Sequence, residues 1–116
     1  MSDEWEREYD SVRRLLVSMD EEIVKSIQWA VFEPNDEATW SHVRQLVAEY
    51  MTGRWRDAAL AGIKPEDAFF VRCDRSTMTQ DDIDNGRLIC LVGVAPMKPA
   101  EFVIIKITQL TADTKP

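Results

Sequence analysis

Histidine, cysteine, glycine and positive charge are all scarce in this 116-residue chain, and each scarcity closes off a class of function. His42 is the only histidine, and neither a cysteine nor a second histidine stands at metal-ligand spacing from it, which excludes a zinc centre and Cys/His catalysis. The two cysteines, Cys73 and Cys90, lie inside apolar runs with no paired-cysteine framework, so they read as buried free thiols. Four glycines make no phosphate-cradling loop. Fourteen Lys and Arg against 21 Asp and Glu leave a net charge of −7, which repels a phosphate backbone, so nucleic acid is not an expected partner. The N-terminus, Met1-Ser2-Asp3-Glu4-Trp5-Glu6, is acidic where a signal peptide is basic, and no apolar run reaches the ~18 residues needed to cross a bilayer. A cytoplasmic chain without a membrane partner is expected.

What is present describes one domain. Hydrophobic residues make up 45% and charged residues 30% of the sequence, enough for a single core with a stability of about 5 to 15 kcal/mol and no need of a disulfide or metal. Val12, Leu15, Leu16, Met19, Ile23, Ile27 and Val31 recur every three or four positions, predicting an amphipathic helix from an N-cap at Ser11 to a stop at Pro34. Asn35 is the expected N-cap of a second helix of about 25 residues, whose stripe is Trp40, Val43, Val47, Tyr50, Met51, Trp55 and Ala58 and which Gly62 and Pro65 close. Gly53 within it marks a bend or a close packing contact.

After Pro65 the texture changes to short apolar runs: Ala68 to Cys73, Leu88 to Val94 and Phe102 to Ile107. These predict three strands. Between the first two, Thr79 and Asp82 are spaced as a capping box and Asn85-Gly86 as a helix stop, which fits one helical turn. The resulting class is α+β, with two amphipathic helices packed on a small, mainly three-stranded sheet. Residues 1–10 read as an N-terminal extension, 11–116 as the domain, and 97–116 as a C-terminal strand arm.

Catalytic constellations are weak. Asp74, Asp81, Asp82 and Asp84 form the densest carboxylate group, but their spacing is not that of a calcium loop and capping accounts for the segment. Ser41 and His42 are adjacent and so point about 100° apart on a helix, which rules out a nucleophile and base pair. No enzyme, cofactor or metal is expected. Arg44, Arg54 and Arg56 gather positive charge near Trp55, either as a solvated helix face or as a small basic patch for an acidic protein partner. In the last run both alternating sets are apolar, and Pro96 and Pro99 separate it from the strand before. Such a run suits a central strand or a strand donated to another subunit, and the residues by themselves favour the first.

Five ordered blocks then carry a resemblance. Val12-Arg13-Arg14-Leu15-Leu16, Gln28-Trp29-Ala30-Val31-Phe32-Glu33-Pro34-Asn35-Asp36, Ala68-Phe69-Phe70-Val71-Arg72-Cys73-Asp74, Gly86-Arg87-Leu88-Ile89-Cys90 and Val92 to Val103 together resemble the C-terminal domain of contractile phage tail sheath proteins, also found in R-type bacteriocins and contractile injection systems. The resemblance covers roughly residues 12–111. It implies a structural role without turnover: a subunit or domain of a sheath that packs around the tail tube, assembled in the cytoplasm and ending in a virion tail or contractile particle. It also implies that the last strand is an arm added to a neighbouring subunit's sheet, which here maps onto Glu101, Phe102, Val103, Ile104, Ile105, Lys106, Ile107, Thr108 and Gln109, and that Arg54 and Arg56 face the tail tube. The implied partners are neighbouring sheath subunits in a helical or ring-like homo-oligomer. Set beside this is a monomeric module that binds a sheath or tube and regulates assembly, with Arg54 and Arg56 on an acidic partner.

Overall fold

A computed structural model of the chain describes residues 2–57, 60–96 and 102–114. The element order is α1 (Ser2–Ser26), a 3-10 helix (Gln28–Phe32), α2 (Glu37–Arg56), α3 (Pro65–Ala68), β1 (Phe69–Arg72), α4 (Gln80–Asp84), β2 (Arg87–Val94) and β3 (Val103–Leu110). The α+β class is as the sequence predicts, with two long helices on a three-stranded antiparallel sheet and two single helical turns at its ends.

The long helices differ from expectation at their ends. α1 begins at Ser2, so Ser11 is an interior residue and no N-cap. It stops at Ser26, short of Val31, because the Ser26 hydroxyl bonds back to the Ile23 carbonyl and the Trp29 indole N–H takes the Ser26 carbonyl, leaving a tighter 3-10 turn to finish the segment. α2 is capped by Asp36, whose carboxylate accepts from the Thr39 N–H at 3.2 Å; Asn35 is instead buried and bonded to Trp40. The helix is 20 residues long, and a methyl group at Gly53 would meet nothing within 4 Å, so that glycine is not a packing contact. A turn that the sequence reading did not foresee, α3, starts on Pro65, whose fixed φ suits a first helical position. The capping box on α4 forms as expected between Thr79 and Asp82.

β2 is the central strand and pairs antiparallel with β1 on one side and β3 on the other. Leu88, Cys90, Val92 and Val94, all fully buried, point to the helical layer, where they join Met19, Ile23, Ile27, Val43, Val47 and Met51 in one core. Burying each of these side chains contributes about 1.5 to 3 kcal/mol, and together they hold the sheet on α1 and α2. Cys73 and Cys90 are buried free thiols; a hydrogen bond with Cys90 and then burial push Cys73 well above the ordinary thiol range, so it is held protonated.

Candidate functional site

The last strand occupies an edge of the sheet, and this decides what it can do. β3 pairs with β2 along its whole length, Val103 opposite Val94 through Leu110 opposite Arg87, while among the described residues no strand pairs with its other side. Ile105 and Ile107 enter the core; Phe102, Val103, Ile104 and Leu110 are exposed by 39 to 51%. The apolar residues on both faces therefore do not mark a central strand. Ile105 and Ile107 of one set pack on the helices, Val103 at the start of that set is exposed, and Ile104 and Leu110 of the other set stay open. An edge strand with unpaired N–H and C=O groups and exposed apolar side chains is a ready template for another chain. Lys106 is the one charge on it. Of the nine residues assigned to strand exchange, Val103 to Gln109 lie in β3, Phe102 immediately precedes it, and Glu101 lies outside the described residues. Leu16, Val17 and Asp20 of α1 flank the strand near Val103 to Lys106 and form a shallow groove with it.

The two ends of β3 are fastened differently. At the start, the Phe102 ring packs against Phe70 with 5.6 Å between centroids and a tilt of 49°, and the Phe70 ring lies directly over Gly93. A methyl group at Gly93 would come within 1.9 Å of that ring, so the absent side chain is what admits it. At the finish, the chain turns through Thr111 to Thr114 and makes directional bonds. The Thr111 N–H and hydroxyl both donate to the Gly86 carbonyl at 2.9 Å, the Ala112 N–H donates to Glu33 O at 2.9 Å, and the Asp113 carboxylate accepts from the Asn35 N–H at 2.8 Å. Gly86 has φ +73°, and a Cβ there would lie 2.3 Å from the Thr114 nitrogen, so glycine is needed both for conformation and for close approach. Asn35 also accepts from the Trp40 indole at 2.7 Å, within the core.

Charged groups around this finish are occupied with one another. Arg87 bridges Asp81 and, through Nε at 2.9 Å, Asp82. The Thr79 N–H and then Arg87 hold the Asp82 carboxyl below the usual carboxylate range, and Ser76 does the same for Asp74 through its hydroxyl and N–H. Gln80 bonds Asp84. The four carboxylates thus cap turns and pair with Arg87 or Gln80. Among the described residues, no group of three or more His, Cys, Asp or Glu side chains is placed to hold a metal ion. His42 is exposed, and its ring lies 4.3 Å from that of Trp29 between centroids, tilted by 35°.

The three arginines do not make one patch. Arg44 donates to Glu37 and to the Cys73 carbonyl, which ties α2 to the end of β1. Arg54 and Arg56 are two residues apart and so point about 200° apart around α2. Arg56 is exposed, whereas Arg54 is half-buried, with its Nε buried and without a hydrogen-bond partner among the described residues. Trp55 between them donates to Gly62 O at 3.0 Å. Sequence reasoning identified the strand but missed the terminal turn. Thr111 and Asp113 carried a signal only as hydrogen-bonding side chains just beyond an apolar run.

The sequence pattern of the phage tail sheath C-terminal domain matches residues 6–109. Two cryo-electron microscopy structures resemble the fold closely. One is of the anti-feeding prophage (AFP) baseplate, with TM-score 0.70 and 46% identity, covering 84% of this chain and 27% of that one. The other is of an extracellular contractile injection system, the PVC sheath complex in its contracted state, with TM-score 0.69 and 44% identity, covering 84% of this chain and 28% of that one. The chain thus spans little more than a quarter of either. Among curated protein sequences none matches it.

Proposed function

This chain belongs to the phage tail sheath C-terminal domain family, and on that premise we propose that it is a structural building block of a contractile sheath, linked to neighbouring copies by exchange of its last strand. The observation that carries the reading is the edge position of β3, with no strand among the described residues on its other side and with Ile104 and Leu110 exposed beside Lys106 and Thr108 on its outer face. Added to another sheet, such a strand gains main-chain hydrogen bonds along its length while the helical layer of each copy stays rigid, so domains can rotate without losing their link. The role is mechanical and needs no turnover. The finished particle is a contractile injection device or virion tail, built in the cytoplasm around a tail tube. Of the two arginines assigned to the tube, Arg56 is the one whose exposure suits that contact.

Analytical ultracentrifugation of the full chain over a wide concentration range tests this. Growth into large or ring-like species is the expected result, lost in Ile105→Asp, which places a charge at a position 9% exposed against the core of whichever sheet receives the strand. A chain that stays monomeric at every concentration overturns strand exchange as a property of this domain alone.

One observation favours a second reading. β3 completes its full ladder and its terminal turn within a single chain. A closed monomer of this kind would act as a module that binds a sheath or tube, through Arg56 on an acidic surface. Its affinity for such a partner would fall with added salt and with Arg56→Glu.

A further inference from the structure

The β3 ladder does not fix its own register. In the observed pairing, Ile105 and Ile107 enter the core opposite Val92 and Cys90, and Val103, on the same side of the strand but 39% exposed at its start, lies opposite Val94. Moved by two residues, about 6.8 Å, the same three side chains would lie opposite Val92, Cys90 and Leu88 with the same faces in and out. Three β-branched aliphatic side chains fill either set of positions with nearly equal shape. Burial of one face forbids a one-residue slip, which would turn every side chain over, but a two-residue slip keeps the same face inward and is not excluded by that alternation. Something outside the ladder must choose.

We infer that the Thr111 to Thr114 turn is a register key, and that the Glu33 carbonyl, the Asn35 N–H and the Gly86 carbonyl form the socket that reads it. Thr111 is 2% exposed and spends its N–H and its hydroxyl on the same Gly86 oxygen. Asp113 sits on Asn35, which itself is 4% exposed and anchored through Trp40. The Cβ-free Gly86 lets the Thr114 backbone approach to a distance that any other residue would forbid. A two-residue slip withdraws Thr111 and Asp113 from these partners together, leaving buried polar groups unpaired, which no apolar contact repays. The key is polar and directional where the ladder is apolar and repetitive. The extension to neighbours rests on the strand-exchange reading above: the socket is then the site on each copy that accepts a Thr-Ala-Asp turn from a second copy of this chain and rejects an arm entering out of step.

Cross-strand cysteine pairs in the full chain test this. Leu91 and Lys106 are opposite each other on the face away from the helices, so the double variant L91C/K106C reports the native register. The pair L91C/I104C reports the slipped one. Under mild copper-phenanthroline oxidation, only L91C/K106C should close rapidly. With Asp113→Ala added, L91C/I104C should close roughly tenfold faster or more, the scale set by losing a charge-assisted hydrogen bond. If L91C/I104C closes as readily without Asp113→Ala, or stays closed to oxidation with it, the turn is no key. Should Asp113→Ala not fold, Thr111→Val, which removes the hydroxyl bond but keeps the N–H, is read in the same way. Non-reducing gels separate the two readings. A bond within one chain runs as monomer and a bond to a neighbour as dimer, so strand exchange can fail while the key stands, and the reverse.

Discussion

The two ends of β3 perform one task, fastening an edge strand to β2, by opposite physics. At the Gly93 end the attachment is a pair of tilted rings over a glycine, apolar and without hydrogen bonds of its own. At the Gly86 end it is a set of directional hydrogen bonds, two of them from Thr111 to the one Gly86 oxygen. Apolar contact supplies energy with little directional preference, while paired polar groups supply position, because the cost of misplacing them exceeds the gain from placing them. A strand that must seat itself correctly, in its own sheet or in another, needs one of each.

The largest effect expected from breaking this contrast is at Asn35. Replacing it with alanine leaves the buried Trp40 N–H without its acceptor, which should lower stability by about 2 kcal/mol in urea denaturation. The Asn35 N–H to Asp113 survives the change, so a loss under about 0.5 kcal/mol would mean that the Trp40 bond to the Asn35 side chain adds little to stability. Gly93→Ala comes next. The added methyl displaces the Phe70 ring and with it the Phe102 contact, at a cost of about 1 to 2 kcal/mol and a changed near-ultraviolet circular dichroism, with hydrogen exchange at Thr111 unaltered. Protection lost at both ends would show the two to be one unit. Smallest is the response to acid. The Asp74 and Asp82 carboxyls titrate below the 3.8 of the unfolded chain, so the stability they add is complete above pH 4 and is lost as pH falls through their folded values. Both lie on the Gly86 side, so lowering the pH below 3.8 should loosen that end before the Phe70 and Phe102 contact, as followed by hydrogen exchange. Simultaneous loosening would contradict the division.

Most of the fold was legible because its determinants are local. The three apolar runs became three strands, Thr79 and Asp82 became a capping box, and Met19, Ile23, Ile27, Val43, Val47 and Met51 became the core that their spacing announces. The helix ends were less so: Ser11 has the chemistry of a cap and of an ordinary helical residue alike, and only the context before it decides. Periodicity names apolar faces but not what covers them, hence the appearance of β3 as a central strand. The terminal turn was illegible for a different reason. Asp113 and Asn35 are 78 residues apart, and neither has a neighbour in sequence that hints at the other. The burial of Arg54 also depends on packing around the end of α2, which spacing does not encode.

Trp40 is 2% exposed and donates its indole N–H to Asn35, the same residue whose backbone holds Asp113. The fluorophore is therefore two bonds removed from the tip of the arm. In a variant that keeps Trp40 and replaces the other three tryptophans, its emission, set by burial and by that hydrogen bond, should report whether the socket is filled without an added label.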